Sequence, residues 1–145
     1  MKIVIDADAC PVTRLAAAQA RARQTECVLV CDTAHFLEIE GCRTVTVDKG
    51  ADSADYKVAA LAQKGDIVIT QDYGLAAICL AKECKPLNQN GLIYNDKNIG
   101  NLLYSRYISK EIRMAGGRTK GPKKRTKEQD EAFLKALIYL LEQQI

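Results

Sequence analysis

Residues 1–10 read MKIVIDADAC. The apolar run Ile3-Val4-Ile5 stops abruptly in two carboxylates one residue apart, Asp6 and Asp8. A short run of β-branched residues with no polar alternation reads as a strand covered on both faces. Two acids at the end of such a strand are costly without a partner. The pair is therefore read as functional ahead of a reading as incidental surface charge.

Working outward, similar runs occur at Cys27 to Cys31, Arg43 to Val47 and Ile67 to Thr70, with a weaker one at Leu92 to Tyr94. Between them lie Ala/Leu-rich segments of helical character at Pro11 to Arg23, Asp52 to Lys64 and Gly74 to Glu83. The first opens with a proline suited to position N1. Strand alternating with helix predicts an α/β protein, a three-layer α/β/α sandwich with a mainly parallel sheet. No internal repeat is found, and 145 residues suit one domain spanning 1–145. A basic loop at 113–127 carries the densest Gly/Pro punctuation, between Gly116 and Pro122, before a last amphipathic helix from about Thr126 to Gln143.

Composition narrows the class. Hydrophobic residues are 48% and charged residues 27%, an ordinary soluble balance. The apolar runs fall far short of the roughly 20 residues a membrane helix needs. Acids stand where a signal peptide has its apolar core, so a cytoplasmic location and no membrane partner are expected. The six cysteines are expected to be reduced thiols. Zinc is disfavoured by the absence of a C-x-x-C pair and by a single histidine, His35, which reads as a surface-loop residue.

The net charge of +3 hides an asymmetry. Arg106 to Lys127 holds nine basic residues against Glu111 alone, leaving 12 basic and 17 acidic residues elsewhere. An acidic body with a basic segment suggests a polyanionic partner. Arg113, Arg118, Lys120, Lys123, Lys124, Arg125 and Lys127, set among glycines, are the candidate nucleic-acid contacts, since cations and exposed backbone amides together suit phosphates. The competing reading is a solvated loop. Tyr104 and Tyr107 are placed as partly buried packing residues ahead of base-stacking ones.

Ligands of open parallel sheets bind beyond the carboxyl ends of the strands. Asp6 and Asp8 follow the first strand, Asp72 follows Ile67 to Thr70, and Asp52 and Asp55 fall in the first turn of the helix after Arg43 to Val47. All stand on one edge. Carboxylates gathered this way repel unless a cation lies between them, and Mg²⁺ or Mn²⁺ favours a few carboxylates plus water and phosphate. Taken singly, Asp52, Asp55 or Asp72 also reads as a helix cap or turn residue.

VIDADACPV at 4–12, KGADSADYKVAALAQKGDIVITQDYGLA at 49–76 and GGRTKGPKKRT at 116–126 together closely resemble the uncharacterised bacterial YaiI/YqxD family, assigned to the PIN-like nuclease superfamily. The resemblance implies a PIN-like α/β/α sandwich that cuts RNA or DNA with Mg²⁺ or Mn²⁺ held by acidic residues. It matches Asp6 to the acid after the first strand, Asp55 to the acid on the central helix and Asp72 to the acid after the later strand. Asp8 and Asp52 are extra acids without an assigned counterpart. Asp6, Asp8, Asp55 and Asp72 are thus the candidate catalytic set, and Asp52 joins them as a candidate metal ligand.

The expectation is a metal-dependent nuclease in which aspartates hold metal and water attacks, with RNA favoured over DNA. Cys10 precedes a helix but has no basic partner at hand and reads as structural. One rival is a phosphatase of the haloacid dehalogenase type, with Asp6 as nucleophile, Asp8 as acid/base and Thr70 in its second motif. Its lysine and acidic pair are missing, since Lys82 and Lys85 lead only to the isolated Asp96. The other rival is a nucleic-acid-binding module without catalysis, which needs the basic loop but not the aspartates.

Overall fold

The computed structural model describes residues 1–50, 53–117 and 124–143. The elements follow in the order β1 (Lys2–Asp6), α1 (Thr13–Ala22), β2 (Glu26–Asp32), β3 (Arg43–Val47), α2 (Ser53–Leu61), β4 (Ile67–Ile69), α3 (Tyr73–Ala81), β5 (Lys85–Leu87), α4 (Ile99–Met114) and α5 (Lys127–Glu142). The five strands form one parallel sheet of order β3-β2-β1-β4-β5, with β1 at its centre.

Side chains alternate across a strand, and β1 shows the consequence. Ile3 and Ile5 join one apolar layer with Ala16, Ala17 and Ala20 of α1 and Phe133, Leu137 and Leu140 of α5. Val4 points to the other face, where Val58 of α2 and Leu75 and Cys79 of α3 pack with Val28 and Val68. The predicted α/β/α layering is therefore present. Among the described residues no helix is long and apolar enough to cross a membrane.

Three elements differ from the sequence reading. The fifth strand is Lys85–Leu87, whereas Leu92 to Tyr94 contributes only an antiparallel bridge between Ile93 and Leu87. Pro86 conceals β5 from propensity, but an edge strand tolerates a missing donor. α1 begins at Thr13, leaving Pro11 in the preceding turn. A 16-residue helix, α4, also occupies Ile99–Met114 without burying a single residue. With no buried stripe it gives little pattern to read.

The N-terminal ends of the strands are tied by Asp66, which is 3% exposed. Its Oδ1 accepts from the Lys2 backbone N–H at 3.0 Å, and its Oδ2 accepts from Lys2 Nζ at 2.6 Å and from the Gln63 N–H at 2.8 Å. Burial raises its pKa, but these bonds and the Lys2 charge outweigh burial and hold the carboxyl below its ordinary range. Removing one partner of a buried pair strands the other, at a cost of about 3 kcal/mol. Asp66→Ala is expected to lose about that much stability in urea unfolding at pH 7; a loss below about 1 kcal/mol would show that the pair does not hold this edge.

Candidate functional site

The chain leaves β1 towards β2 and β3 on one side of the sheet, then crosses back to β4 on the other. The loops after β1 and β4 therefore depart in opposite directions, which opens a crevice at their carboxyl ends. That crevice is a cleft of about 300 Å³ lined by Asp6, Asp8, Gln71, Asp72, Tyr73 and Arg106.

Thr70, 1% exposed, knits it together. Its hydroxyl donates to Asp6 Oδ2 at 3.0 Å and accepts from the Asp72 N–H at 3.0 Å, and its carbonyl accepts from the buried Tyr94 hydroxyl at 3.1 Å. Asp72 is the N-cap of α3, its Oδ1 accepting from the N–H groups of Gly74 at 2.8 Å and Leu75 at 3.1 Å. The same oxygen takes an ion pair from Arg106 Nη1 at 3.1 Å. Asp72 is thus a cap and a wall of the cleft at once. On the other side Asp8 Oδ1 accepts from the Asp32 N–H at 3.3 Å. Ala9 holds a left-handed φ of 59°, and Gln71 Nε2 donates to its carbonyl at 2.9 Å, so a strained turn fixes the D-A-D backbone against β4's exit.

The charges are unevenly compensated. Burial, followed by the charges of Asp8 and Asp72, pushes the Asp6 carboxyl up to about 6, although the Thr70 hydroxyl pulls the other way. Burial also raises Asp72, but the Leu75 N–H, the Arg106 charge and a hydrogen bond with Asp55 outweigh it and leave Asp72 below its ordinary value. Asp55 therefore reaches the site through Asp72. It lies on the flank of the cleft, in a neighbouring cavity of about 340 Å³ with Tyr56, Leu75, Ile78 and Arg106.

Of the predicted acids, Asp6, Asp8 and Asp72 line the cleft and Asp55 bonds to Asp72 from its flank, while Asp52 lies outside the described residues, as do Arg118, Lys120 and Lys123. The ends of the basic segment are helical where the sequence predicts a loop over 113–127: Arg113 stands in the last turn of α4 and Lys127 opens α5, and Lys124 between them is exposed. Arg125 is engaged by the protein itself, donating to Asp130 Oδ1 at 2.6 Å, Asn90 Oδ1 at 2.7 Å and the Gln89 carbonyl at 2.6 Å. Tyr104 and Tyr107 are 64% and 57% exposed, so the expectation that they are packing residues is corrected.

The sequence reading missed Arg106, whose only signal was its place at the start of the basic segment. It also missed that His35, exposed as expected, bonds through Nδ1 to Asp32 Oδ1 at 2.8 Å. Ligand atoms of Asp8, Asp32 and His35 lie within 4.8 Å of one another, the one group of three or more so close among the described residues, and neither Asp6 nor Asp72 belongs to it. The His35 bond holds Asp32 below its ordinary pKa. Burial raises the Cys10 thiol, the reverse of what a nucleophile needs, in keeping with its structural reading.

The sequence profile of the Uncharacterized BCR, YaiI/YqxD family matches residues 4–143, which includes every described aspartate of the cleft. The chain belongs to this family. Its relatives include a UPF0178 protein of Ruminiclostridium cellulolyticum, 49% identical over 97% of this chain and 92% of that protein. Another from Exiguobacterium sibiricum is 48% identical over 97% and 96%, and one from Bacillus anthracis is 46% identical over 92% and 93%. No solved structure matches the chain.

The Asp6 shift has a measurable sign. Its folded pKa, about 6, lies above the ordinary 3.8. The folded state therefore binds more protons than the unfolded chain between those values, and stability falls as pH rises through that window. The penalty is complete above about pH 6 and at most about 3 kcal/mol. In chelator, Asp6→Asn is expected to be more stable than wild type at pH 8 and to lose that advantage by pH 4 in urea unfolding. An advantage that does not vary with pH would mean that Asp6 is not desolvated among like charges.

Proposed function

We propose that this chain is a divalent-metal-dependent phosphodiesterase of the PIN-like kind, acting on nucleic acid and on RNA in preference to DNA. The observation that carries the reading is that Asp6, Asp8 and Asp72 line one switch-point cleft, with Asp6 raised by burial first and then by the charges of Asp8 and Asp72. An oxygen-only donor set around an excess of negative charge fits a hard dication such as Mg²⁺ or Mn²⁺. The parallel order β3-β2-β1-β4-β5, with acids after β1 and β4 and on α2, supports the PIN-like assignment.

Asp6, Asp8 and Asp72 would hold the ion, with Asp55 supporting Asp72 from the flank. An ion held there would supply polarisation of a phosphoryl oxygen and a lowered pKa for a bound water. The rest falls to the chain. Thr70 fixes the Asp6 carboxyl, the Asp32 N–H fixes Asp8, and the α3 N-terminus fixes Asp72. Arg106, 56% exposed at its side chain, offers guanidinium N–H groups to a phosphate entering the cleft. Tyr56 presents an exposed ring in the cavity that flanks the cleft, and Tyr104 and Tyr107 are exposed on the helix that carries Arg106; exposed rings suit the unstacked bases of single-stranded RNA.

The phosphatase alternative is weakened by its missing cation. Lys85 opens β5, and Lys82 at the end of α3 donates to the Ala59 carbonyl, so both stand at the opposite edge of the sheet from Asp6. A binding module without catalysis has no use for desolvated carboxylates in the cleft.

Purified protein is expected to cleave unpaired RNA in Mn²⁺ and not in chelator. Asp6→Asn and Asp72→Asn should lower kcat on the order of 100-fold or more, and Arg106→Ala should mainly raise KM. Turnover of a generic phosphomonoester with a broad panel of RNA and DNA left intact would transfer the assignment to the phosphatase.

A further inference from the structure

Beside the aspartate cleft, and sharing Ala9 and Gln71 with it, lies a cavity of about 430 Å³ with no carboxylate in its lining. Four side-chain amides meet there, those of Gln71, Gln89, Asn90 and Gln129, together with the Arg125 guanidinium. Three of the amides are anchored by one end. Gln71 Nε2 donates to the Ala9 carbonyl, Asn90 Oδ1 accepts from Arg125, and Gln129 Oε1 accepts from the Thr126 N–H at 2.9 Å as half of the α5 capping box. Anchoring one end of an amide aims the other, which leaves an acceptor on Gln71 and donors on Asn90 and Gln129 for this cavity. The fourth amide stands out: Gln89 Oε1 is shut off from solvent and has no hydrogen-bond partner among the described residues. A buried acceptor without a donor is a rarity that calls for a cause.

The cavity is not an anion trap. Asp130 neutralises Arg125, and three bonds hold the guanidinium in one plane. What remains is a neutral slot with donors and acceptors on its walls and a fixed flat cation at its side. Its own walls are built rather than incidental: Gly91, at φ +86°, lets the loop carrying Gln89 and Asn90 press against α5, where a Cβ would stand 2.4 Å from the Ala132 carbonyl oxygen. Planar heterocycles with mixed donor and acceptor edges match such a slot, because Asn and Gln pair with base edges and bases stack on guanidinium planes.

We infer that this amide-lined cavity is a nucleobase pocket, which takes the base of the nucleotide whose phosphate lies at the aspartate edge. The inference rests on the proposed phosphodiesterase reading for that phosphate, and it assigns Gln89 as a specificity-determining residue. Lys124 and Lys127 would then follow the backbone, while the Arg125 guanidinium plane and the Gln89 amide nitrogen, the end of that amide not shut off, read the base.

The test titrates the intact chain, in Mn²⁺, with the four nucleoside 5′-monophosphates and with ribose 5-phosphate, which keeps the sugar and phosphate and lacks the base. At least one nucleotide is expected to bind about tenfold or more tightly than ribose 5-phosphate. Gln89→Ala, which keeps the backbone carbonyl that holds Arg125, should bring that nucleotide to within about twofold of ribose 5-phosphate and leave ribose 5-phosphate itself unchanged. Gln89→Glu keeps the bulk but exchanges the amide donor for an acceptor, and should reorder the four bases; it serves also if the alanine variant melts early. Four nucleotides that all bind like ribose 5-phosphate, or a base preference that survives both substitutions, would overturn the pocket while leaving the metal reading intact. A base preference that depends on Gln89 while ribose 5-phosphate fails to bind would instead uphold the pocket and remove the metal-held phosphate.

Discussion

The Thr70 hydroxyl links the Asp6 carboxylate, to which it donates, to the backbone N–H of Asp72, from which it accepts, and the edge of the sheet is organised around that contact. It exists because β1 is the central strand. Hemmed in by β2 and β4 and covered on both faces, β1 delivers Asp6 into a place water reaches poorly. A neutral donor can hold such a carboxylate in position but cannot neutralise it. The fold therefore leaves Asp6 desolvated beside like charges, which a cation, on the proposed reading, would relieve.

The surrounding residues fix geometry more than they balance charge. Asp72 is held by a helix N-terminus and Arg106, Asp8 by the Asp32 N–H, and Ala9 by Gln71 across the crevice. Arg106 comes from α4, a helix that rests on α3 and otherwise faces outward. An element with so little burial is held by few apolar contacts and belongs to the low-stability end of the structure. On the proposed reading, a guanidinium on such an element would exchange Asp72 for a phosphate without disturbing the core.

β1, β2 and β4 were legible because their apolar, largely β-branched residues are buried on both faces, and β3 through its run of Thr and Val although none of its residues is buried; both patterns depend only on neighbours in sequence. Asp6, Asp8 and Asp72 were legible for a related reason: in a parallel sheet, the residues after each strand arrive at one edge. β5 was hidden by Pro86, and Tyr94 drew the reading to Leu92 to Tyr94 because it is itself buried, through its bond to Thr70 rather than as part of a strand. Partnerships across long sequence separations were not legible. Nothing near Arg125 announces Gln89, and nothing near Arg106 announces Asp72. A basic run reads as a surface from sequence, and only the fold shows which of its members are already engaged.

Two groups of side chains are rival candidates for the proposed metal, since Asp8 belongs both to the cleft with Asp6 and Asp72 and to the group with Asp32 and His35. Paramagnetic broadening of backbone amide resonances by substoichiometric Mn²⁺ separates them directly. The account predicts that broadening starts at residues 6–8 and 70–73, on both sides of the Thr70 contact. Broadening that starts at residues 32–35 and spares 70–73, or none above the level of a surface-wide effect, would contradict it.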